Sequence, residues 1–360
     1  MIQTRQLIEE AEEALGGGRM VALATVVAVD GSAYRREGAK LLVHEDGIPV
    51  GIISGGCLEG EVATIAGEVF EQGRPRRESF DLREDAIFGL GSGCGGVVDV
   101  FIEPLSEDDA FRSWGGAVLE RRRVVRALIT ASERDDVALG ASLVVAAGGR
   151  PVGDLGPRDL TAAVAETAAE LLAQRNPQTF ARILDRVKVL FDVSVPPPEL
   201  VLFGAGVDAQ PVAELARRCG FVITVVDPRE AFLSEGRFPD VERVLAHPSG
   251  FAERVHLGPN SSVVIMNHHY ERDRYSLRFA LEMGAPYVGV LGPTHRFKKL
   301  LAELAEEGFT PSLEQLERIH NPVGLDIGAE GPEEIAVSIV AEVLAALRGV
   351  RGEMLREVAD

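Results

Sequence analysis

The pattern of apolar and polar positions divides the chain in two. In the first part, apolar runs at 20–29 and 39–44 predict strands, with turn signals at Asp30-Gly31 and Asp46-Gly47. Residues 58–71 carry a helical spacing that opens just after Gly55-Gly56-Cys57. Residues 97–102 alternate as a strand, 124–130 and 142–147 predict further strands, and 158–174 form an alanine-rich helix. Val187, Val189, Phe191, Val193 and Val195 alternate with mostly polar residues and predict one more strand. This set reads as a mixed α/β domain whose topology the pattern leaves open.

After Pro196-Pro197-Pro198, a stiff connector, the rhythm changes. Strand 200–203 is followed by helix 208–219, strands 221–226 and 263–266, helix 275–283, strand 287–291 and helix 294–306. A last helix runs from Pro332 to about Leu347, with Glu333 and Glu334 complementing the positive end of its dipole. Strands alternating with helices in this way predict a Rossmann-like, doubly wound parallel sheet. The predicted domains are therefore 1–195 and 196–360.

Composition narrows the function. The formal net charge of −19 argues against a nucleic-acid surface. An anion site here has to be locally basic inside an acidic protein. The opening MIQTRQLIEEAEEAL reads as an amphipathic helix and not a signal peptide, and the apolar run Val21 to Val29 is too short for a membrane helix. Cys57, Cys94 and Cys219 are too few for a disulfide framework, so a reducing cytoplasm is the expected home. They are also too few for a molybdenum hydroxylase with two [2Fe–2S] clusters, which needs about eight thiolates. This chain cannot supply them.

Gly204-Ala205-Gly206-Val207-Asp208-Ala209 is G-x-G-x-x-A between a predicted strand and a predicted helix. Gly204 permits the tight turn, and Gly206 lets a pyrophosphate approach the backbone. Asp227 ends the next strand at the distance of about 20 residues expected for a ribose-binding acid. That combination favours NAD or FAD over NADP, unless the fold keeps its turn for packing alone. No Gly-Lys-Ser/Thr follows, so the loop is not a P-loop.

Two thiols sit in glycine-rich loops. Cys57, in SGGCLEGE, begins a predicted helix whose N-terminus stabilises a thiolate. Cys94, in GSGCGG, lies in a loop whose N–H groups are free to hold an anion. Together they suggest a site for a soft metal or a sulfur atom, against the plainer reading of small residues in tight turns. Cys219 reads as a packing residue, and no C-x₂-C or histidine pair accompanies the thiols to suggest zinc. The segment from Ser32 to Lys40, with Arg35 and Arg36, is the strongest basic cluster of the first part and a candidate for phosphate recognition. In the second part His268 and His269 follow strand 263–266 at the carboxyl end of the sheet, where ligands of open α/β sheets sit. His295, Arg296, Lys298 and Lys299 begin the next helix, and Asp326 lies between glycines in IHNPVGLDIGA.

The stretches GSAYRREGAKLLV, SGGCLEGEV, GCGG, PPPELVLFGAG with TVVDPR after it, and PVGLDIGAEGPEEIAVSI together resemble the xanthine dehydrogenase accessory factor family (XdhC/CoxI). The resemblance spans both halves, from about residue 20 to 345. It implies an accessory factor that binds the molybdenum cofactor (molybdopterin), protects it and helps load it into a xanthine or carbon monoxide dehydrogenase-type molybdoenzyme. In some members an oxo ligand of the molybdenum is exchanged for sulfur on the way, which implies a sulfur donor such as a cysteine desulfurase. By this resemblance Cys94 and Cys57 are candidate contacts for molybdenum or sulfur, and Arg35 and Arg36 for the cofactor's phosphate. A homodimer in the cytoplasm, with no membrane or nucleic-acid partner, completes the expectation. Two departures stand out. Val207 replaces a histidine often found after GAG, and Ala33-Tyr34 replaces the usual Ser-Pro before the arginine pair. The competing readings are an NAD-dependent oxidoreductase using Gly204, Gly206, Asp227 and His268, and a nucleotide-sensing regulator without chemistry.

Overall fold

The structure, a computed structural model of the chain, describes residues 2–82, 96–174 and 176–354. It divides into two compact units, Met1–Pro196 and Pro197–Asp360.

The first unit opens with α1 (Ile2–Gly16), followed by β1 (Val21–Asp30), β2 (Lys40–His44), β3 (Pro49–Gly51), α2 (Glu59–Gln72), β4 (Arg76–Asp81) and β5 (Val97–Pro104). After α3 (Asp109–Leu119) come β6 (Val124–Ser132), β7 (Ser142–Ala146), β8 (Val152–Gly153), α4 (Arg158–Ala173), β9 (Phe180–Leu184) and β10 (Val187–Ser194). The strands form two five-stranded antiparallel sheets, ordered β3-β2-β1-β5-β4 and β8-β7-β6-β10-β9. Read in chain order, both are the same β-β-β-α-β-β topology. The unit is an internal duplication.

Small details repeat with the topology. In β1 a bulge falls between Val26 and Ala28, and in β6 the register against β10 shifts at the corresponding place, between Ile129 and Ala131. Gly38 donates to the Val26 carbonyl and Gly140 to that of Ile129, both with positive φ, 86° and 80°. Left-handed backbone at both sites demands glycine. Gly38-Ala39-Lys40-Leu41-Leu42-Val43 thus answers Gly140-Ala141-Ser142-Leu143-Val144-Val145, and Gly47-Ile48-Pro49-Val50-Gly51 answers Gly149-Arg150-Pro151-Val152-Gly153.

The core explains the long apolar runs. Ala22, Ala24 and Val26 face α2 on one side of their sheet, while Val21 and Leu23 face α1 and α3 on the other. Val125, Ala127 and Ile129 face α4 in the second sheet. Val27, Phe101, Leu128 and Leu190 meet between the two sheets. A strand covered on both faces cannot alternate, which is why 20–29 reads as a continuous run.

The second unit contains β11 (Glu199–Phe203), α5 (Ala209–Arg218), β12 (Val222–Asp227), β13 (Glu242–Leu245), α6 (Phe251–Arg254), β14 (Ser261–Ile265), α7 (Tyr270–Glu282), β15 (Tyr287–Val290), α8 (Thr294–Glu306), α9 (Leu313–Glu317), β16 (Ile319–His320) and α10 (Pro332–Arg348). Its six-stranded sheet runs β13-β12-β11-β14-β15-β16, with every pairing parallel. Leu200, Leu202, Ile223 and Val225 pack against α5 and α10, while Val201, Phe203, Val263 and Ile265 pack against α7 and α8. The chain reverses its winding between β11 and β14. Helix α7 begins at Tyr270, earlier than the expected 275, because its first turn, Tyr-Glu-Arg-Asp-Arg, lacks the apolar spacing by which a helix is read.

Candidate functional site

In the first unit the sheet topology brings Arg35, Arg36 and Cys57 to one end of the first repeat. Asp30 opposes Val97, Asp81 opposes Val97, and Leu41 opposes Gly51 across their ladders. The β1–β2 loop with Arg35 and Arg36, the β3–α2 loop with Cys57, and the two flanks of residues 83–95 all leave the sheet there. Cys94 falls within 83–95 and lies outside the described residues. The flanks are tied together, since Leu82 N–H donates to the Gly96 carbonyl at 2.9 Å. A Cβ on Gly96 would sit 2.5 Å from the Ser32 carbonyl, and one on Gly55 would sit 3.2 Å from the Tyr34 ring. The β1–β2 loop therefore touches both of the other segments.

The Cys57 loop is built around a carboxylate. Glu59, the first residue of α2, accepts hydrogen bonds from Ile53 N–H (3.0 Å), Ser54 N–H (2.9 Å), the Ser54 hydroxyl (2.5 Å), Gly56 N–H (2.9 Å) and Leu58 N–H (3.2 Å). Burial alone would raise its pKa. The bonds from the Ser54 hydroxyl and from the N–H groups of Ser54, Ile53 and Glu59 itself outweigh this and lower it to about 2. Four backbone N–H groups of this loop are thus already occupied by Glu59. Cys57 is half-buried and packs against the core under α2. Arg36 is exposed and Arg35 half-buried. Among the described residues no group of three or more His, Cys, Asp or Glu side chains is arranged to hold a metal ion. Sequence reasoning assigns no site role to Glu59 or to Tyr34. The glutamate two residues after the cysteine in SGGCLEGE is the signal that marks the first, while the second is visible only in space.

The second repeat serves as an internal reference. Its β6–β7 loop, 133–141, matches the β1–β2 loop in length. The other two loops differ. Where the first repeat has 52–58 between strand and helix, the second has 154–157. Where the first has 82–96 between its last two strands, the second has only Asp185 and Arg186, with φ of 45° and 62° in a tight hairpin turn. Both longer stretches of sequence include a cysteine and neither shorter counterpart does.

In the second unit the crevice lies at the carboxyl ends of β11 and β14, the switch point of the sheet. Gly204, with φ of 115°, lies against the Met266 carbonyl and the Asn267 backbone, so a side chain there has no space. Asp227 is fully buried and accepts four hydrogen bonds, from Ala205 N–H (2.9 Å) and from Arg229 N–H, Nε and Nη2 (2.8 Å each). Burial would raise its pKa, but the Arg229 guanidinium and the two backbone N–H groups lower it. All the lone-pair positions of this carboxylate are filled from within the protein, so a ribose hydroxyl meets no free acceptor on it. His268, with φ of 52°, places Nε2 2.6 Å from Asp208 Oδ2. His269 precedes α7 as its cap residue and makes no side-chain cap. Behind the pair, Asn267 binds Asp273, which is held by Arg296 at 2.6 Å. The PVGLDIGA segment follows β16 at the same carboxyl edge, where Gly324 N–H donates to Glu342 and Asp326 is exposed.

A Rossmann unit of this strand order, joined in one chain to a duplicated antiparallel unit with a thiol loop at one end, defines a two-unit cysteine-bearing class. The XdhC and CoxI family matches residues 6–81 and the XdhC Rossmann domain matches residues 200–343. A probable xanthine dehydrogenase subunit of Bacillus subtilis (strain 168) is 32% identical over 345 residues, 94% of either chain. The molybdenum cofactor insertion chaperone PaoD of Escherichia coli (strain K12) is 25% identical across 94% of this chain and 87% of its own. A crystal structure of a xanthine dehydrogenase from Bacillus halodurans superposes with a TM-score of 0.76 at 30% identity, covering 96% of both chains. The chain belongs to the XdhC and CoxI family.

Proposed function

We propose that this protein is an accessory factor that binds the molybdenum cofactor as cargo and helps its sulfuration or insertion into a xanthine dehydrogenase-type molybdoenzyme. The observation that carries the reading is the asymmetry of the duplication. One topology occurs twice, and the two connections that are longer in the first copy are those whose sequence includes Cys57 and Cys94. A scaffold alone gives no reason for such a difference, whereas a thiol site at the end of one repeat does. The similarity to an insertion chaperone across nearly the whole chain points the same way.

In this reading Cys57 and Cys94 offer soft donors to molybdenum or to its incoming sulfur, and Arg35 and Arg36 offer charge to the cofactor's phosphate. A cysteine desulfurase is the class of partner that supplies sulfur, and a homodimer helps enclose a labile cargo. The filled acceptor sites of Asp227 weigh against the NAD-dependent oxidoreductase and the nucleotide sensor.

The test is the molybdenum and pterin content of the purified protein before and after incubation with cofactor released from a molybdoenzyme. Near-stoichiometric retention of both, reduced in Cys94→Ser and Cys57→Ser, is expected. No retention, with saturable NAD binding instead, would overturn the proposal.

A further inference from the structure

We infer that the Rossmann crevice of this chain is closed to dinucleotides by its own side chains, with Asp208 standing where a diphosphate would lie. The inference is independent of the cofactor-carrier reading, because it concerns only the second unit.

In a dinucleotide-binding turn the second glycine is bare so that phosphate oxygens can come against the backbone. Here that space is taken. A Cβ built on Gly206 would sit 2.5 Å from Oδ1 of Asp208 and 3.5 Å from the His268 ring. The Asp208 carboxylate therefore curls back over the glycine. His268, projecting from the β14–α7 loop across the switch point, fixes its other oxygen at 2.6 Å. An incoming diphosphate would meet a negative charge at contact distance, a repulsion that side-chain relaxation has to relieve before binding.

Three further observations agree. Ala205 N–H, one of the turn's own donors, is spent on Asp227 at 2.9 Å. Asp227, the residue that would read the ribose, has its remaining acceptor positions filled by Arg229. The Arg229 guanidinium is in turn stacked 3.8 Å over the Phe232 ring, which holds it against Asp227. The glycines that look like a nucleotide fingerprint thus serve two other purposes. Gly204 lets two loops pass, and Gly206 makes room for an internal carboxylate. What the crevice presents to a ligand is an acceptor backed by an imidazole, not a phosphate cradle.

The experiment is calorimetric titration of the full-length protein with NAD and with ADP. Wild type is expected to show no saturable binding below about 1 mM, and Asp208→Ala to bind ADP at least roughly tenfold more tightly than wild type. Asp208→Asn keeps the shape and the contact to His268 while removing the charge, and it decides the matter if the alanine variant does not fold. Wild-type binding of NAD with a Kd below about 1 mM overturns the inference. So does a folded Asp208→Ala with no gain for ADP, or, where only the asparagine variant folds, no gain in that variant.

Discussion

Glu103 and Asp192 occupy the same place in two copies of one topology, and each takes its cation from the other copy. Glu103 of β5 is held by Arg126 of β6 through two bonds of 2.7 and 2.8 Å, and Asp192 of β10 by Lys40 of β2 at 2.8 Å. All four side chains are buried. Trp114 of α3 lies against both cations, its ring centroid 5.3 Å from the Arg126 guanidinium and 5.9 Å from Lys40 Nζ. The duplication is thus locked by crossed ion pairs between its two sheets.

A buried charge without its partner is costly, while a pair replaced together is not. Arg126→Met is expected to destabilise the first unit by about 3–5 kcal/mol, and Arg126→Met with Glu103→Leu to recover most of that loss. Urea unfolding followed by Trp114 fluorescence measures both. Equal stability of the single and double variants would show that the pair does not lock the sheets.

The Glu59 carboxylate sets an acid limb for the Cys57 loop. Its pKa falls from the ordinary 4.5 to about 2 on folding, so the unfolded chain takes up the proton first as pH drops. The stabilisation is complete above pH 4.5 and is lost as pH falls toward about 2. Glu59→Gln is expected to flatten that limb, to cost about 1–3 kcal/mol at neutral pH, and to speed alkylation of Cys57 by a small iodoacetamide probe. An unchanged acid limb and alkylation rate would mean that the glutamate does not build the loop.

At Gly204 the strain is steric. Alanine there would be forced into left-handed backbone against the Met266 carbonyl. Gly204→Ala is expected to cost about 2–4 kcal/mol in the Rossmann unit, visible as an earlier thermal transition. A transition at the wild-type temperature would disprove the close approach.

For the thiols, activity and stability are expected to separate. Cys94→Ser should lower maturation of a co-expressed xanthine dehydrogenase-type partner several-fold while leaving the unfolding free energy of this protein in urea within about 0.5 kcal/mol of wild type. Partner activity equal to that with wild type would remove the thiol from the proposal.

Four of the six strands of the parallel sheet were legible along the chain because each is a short apolar run, and its longer helices because each carries its own period. The strands read at 200–203 and 221–226 lie at Glu199–Phe203 and Val222–Asp227, and helix 294–306 is Thr294–Glu306. The sequence also located the Cys57 loop and the glycine turn. It missed β4, β9 and β13, whose exposed positions, such as Arg77, Arg182 and Glu242, dilute any apolar signal, and β3, β8 and β16, which at two or three residues are too short to show a period. It could not show the duplication, because two copies that share a backbone need share only the glycines and buried residues the backbone demands, as at Gly38 and Gly140. Nor could it show what Asp227 and Asp208 do. A carboxylate at the right spacing looks available in one dimension. Whether its lone pairs are free depends on Arg229, Ala205, Gly206 and His268, which reach it only when the chain folds back through the switch point. Local propensity and periodicity fixed the longer apolar elements and their order, while hydrogen-bond occupancy, set by groups distant in sequence, was decided by the tertiary structure alone.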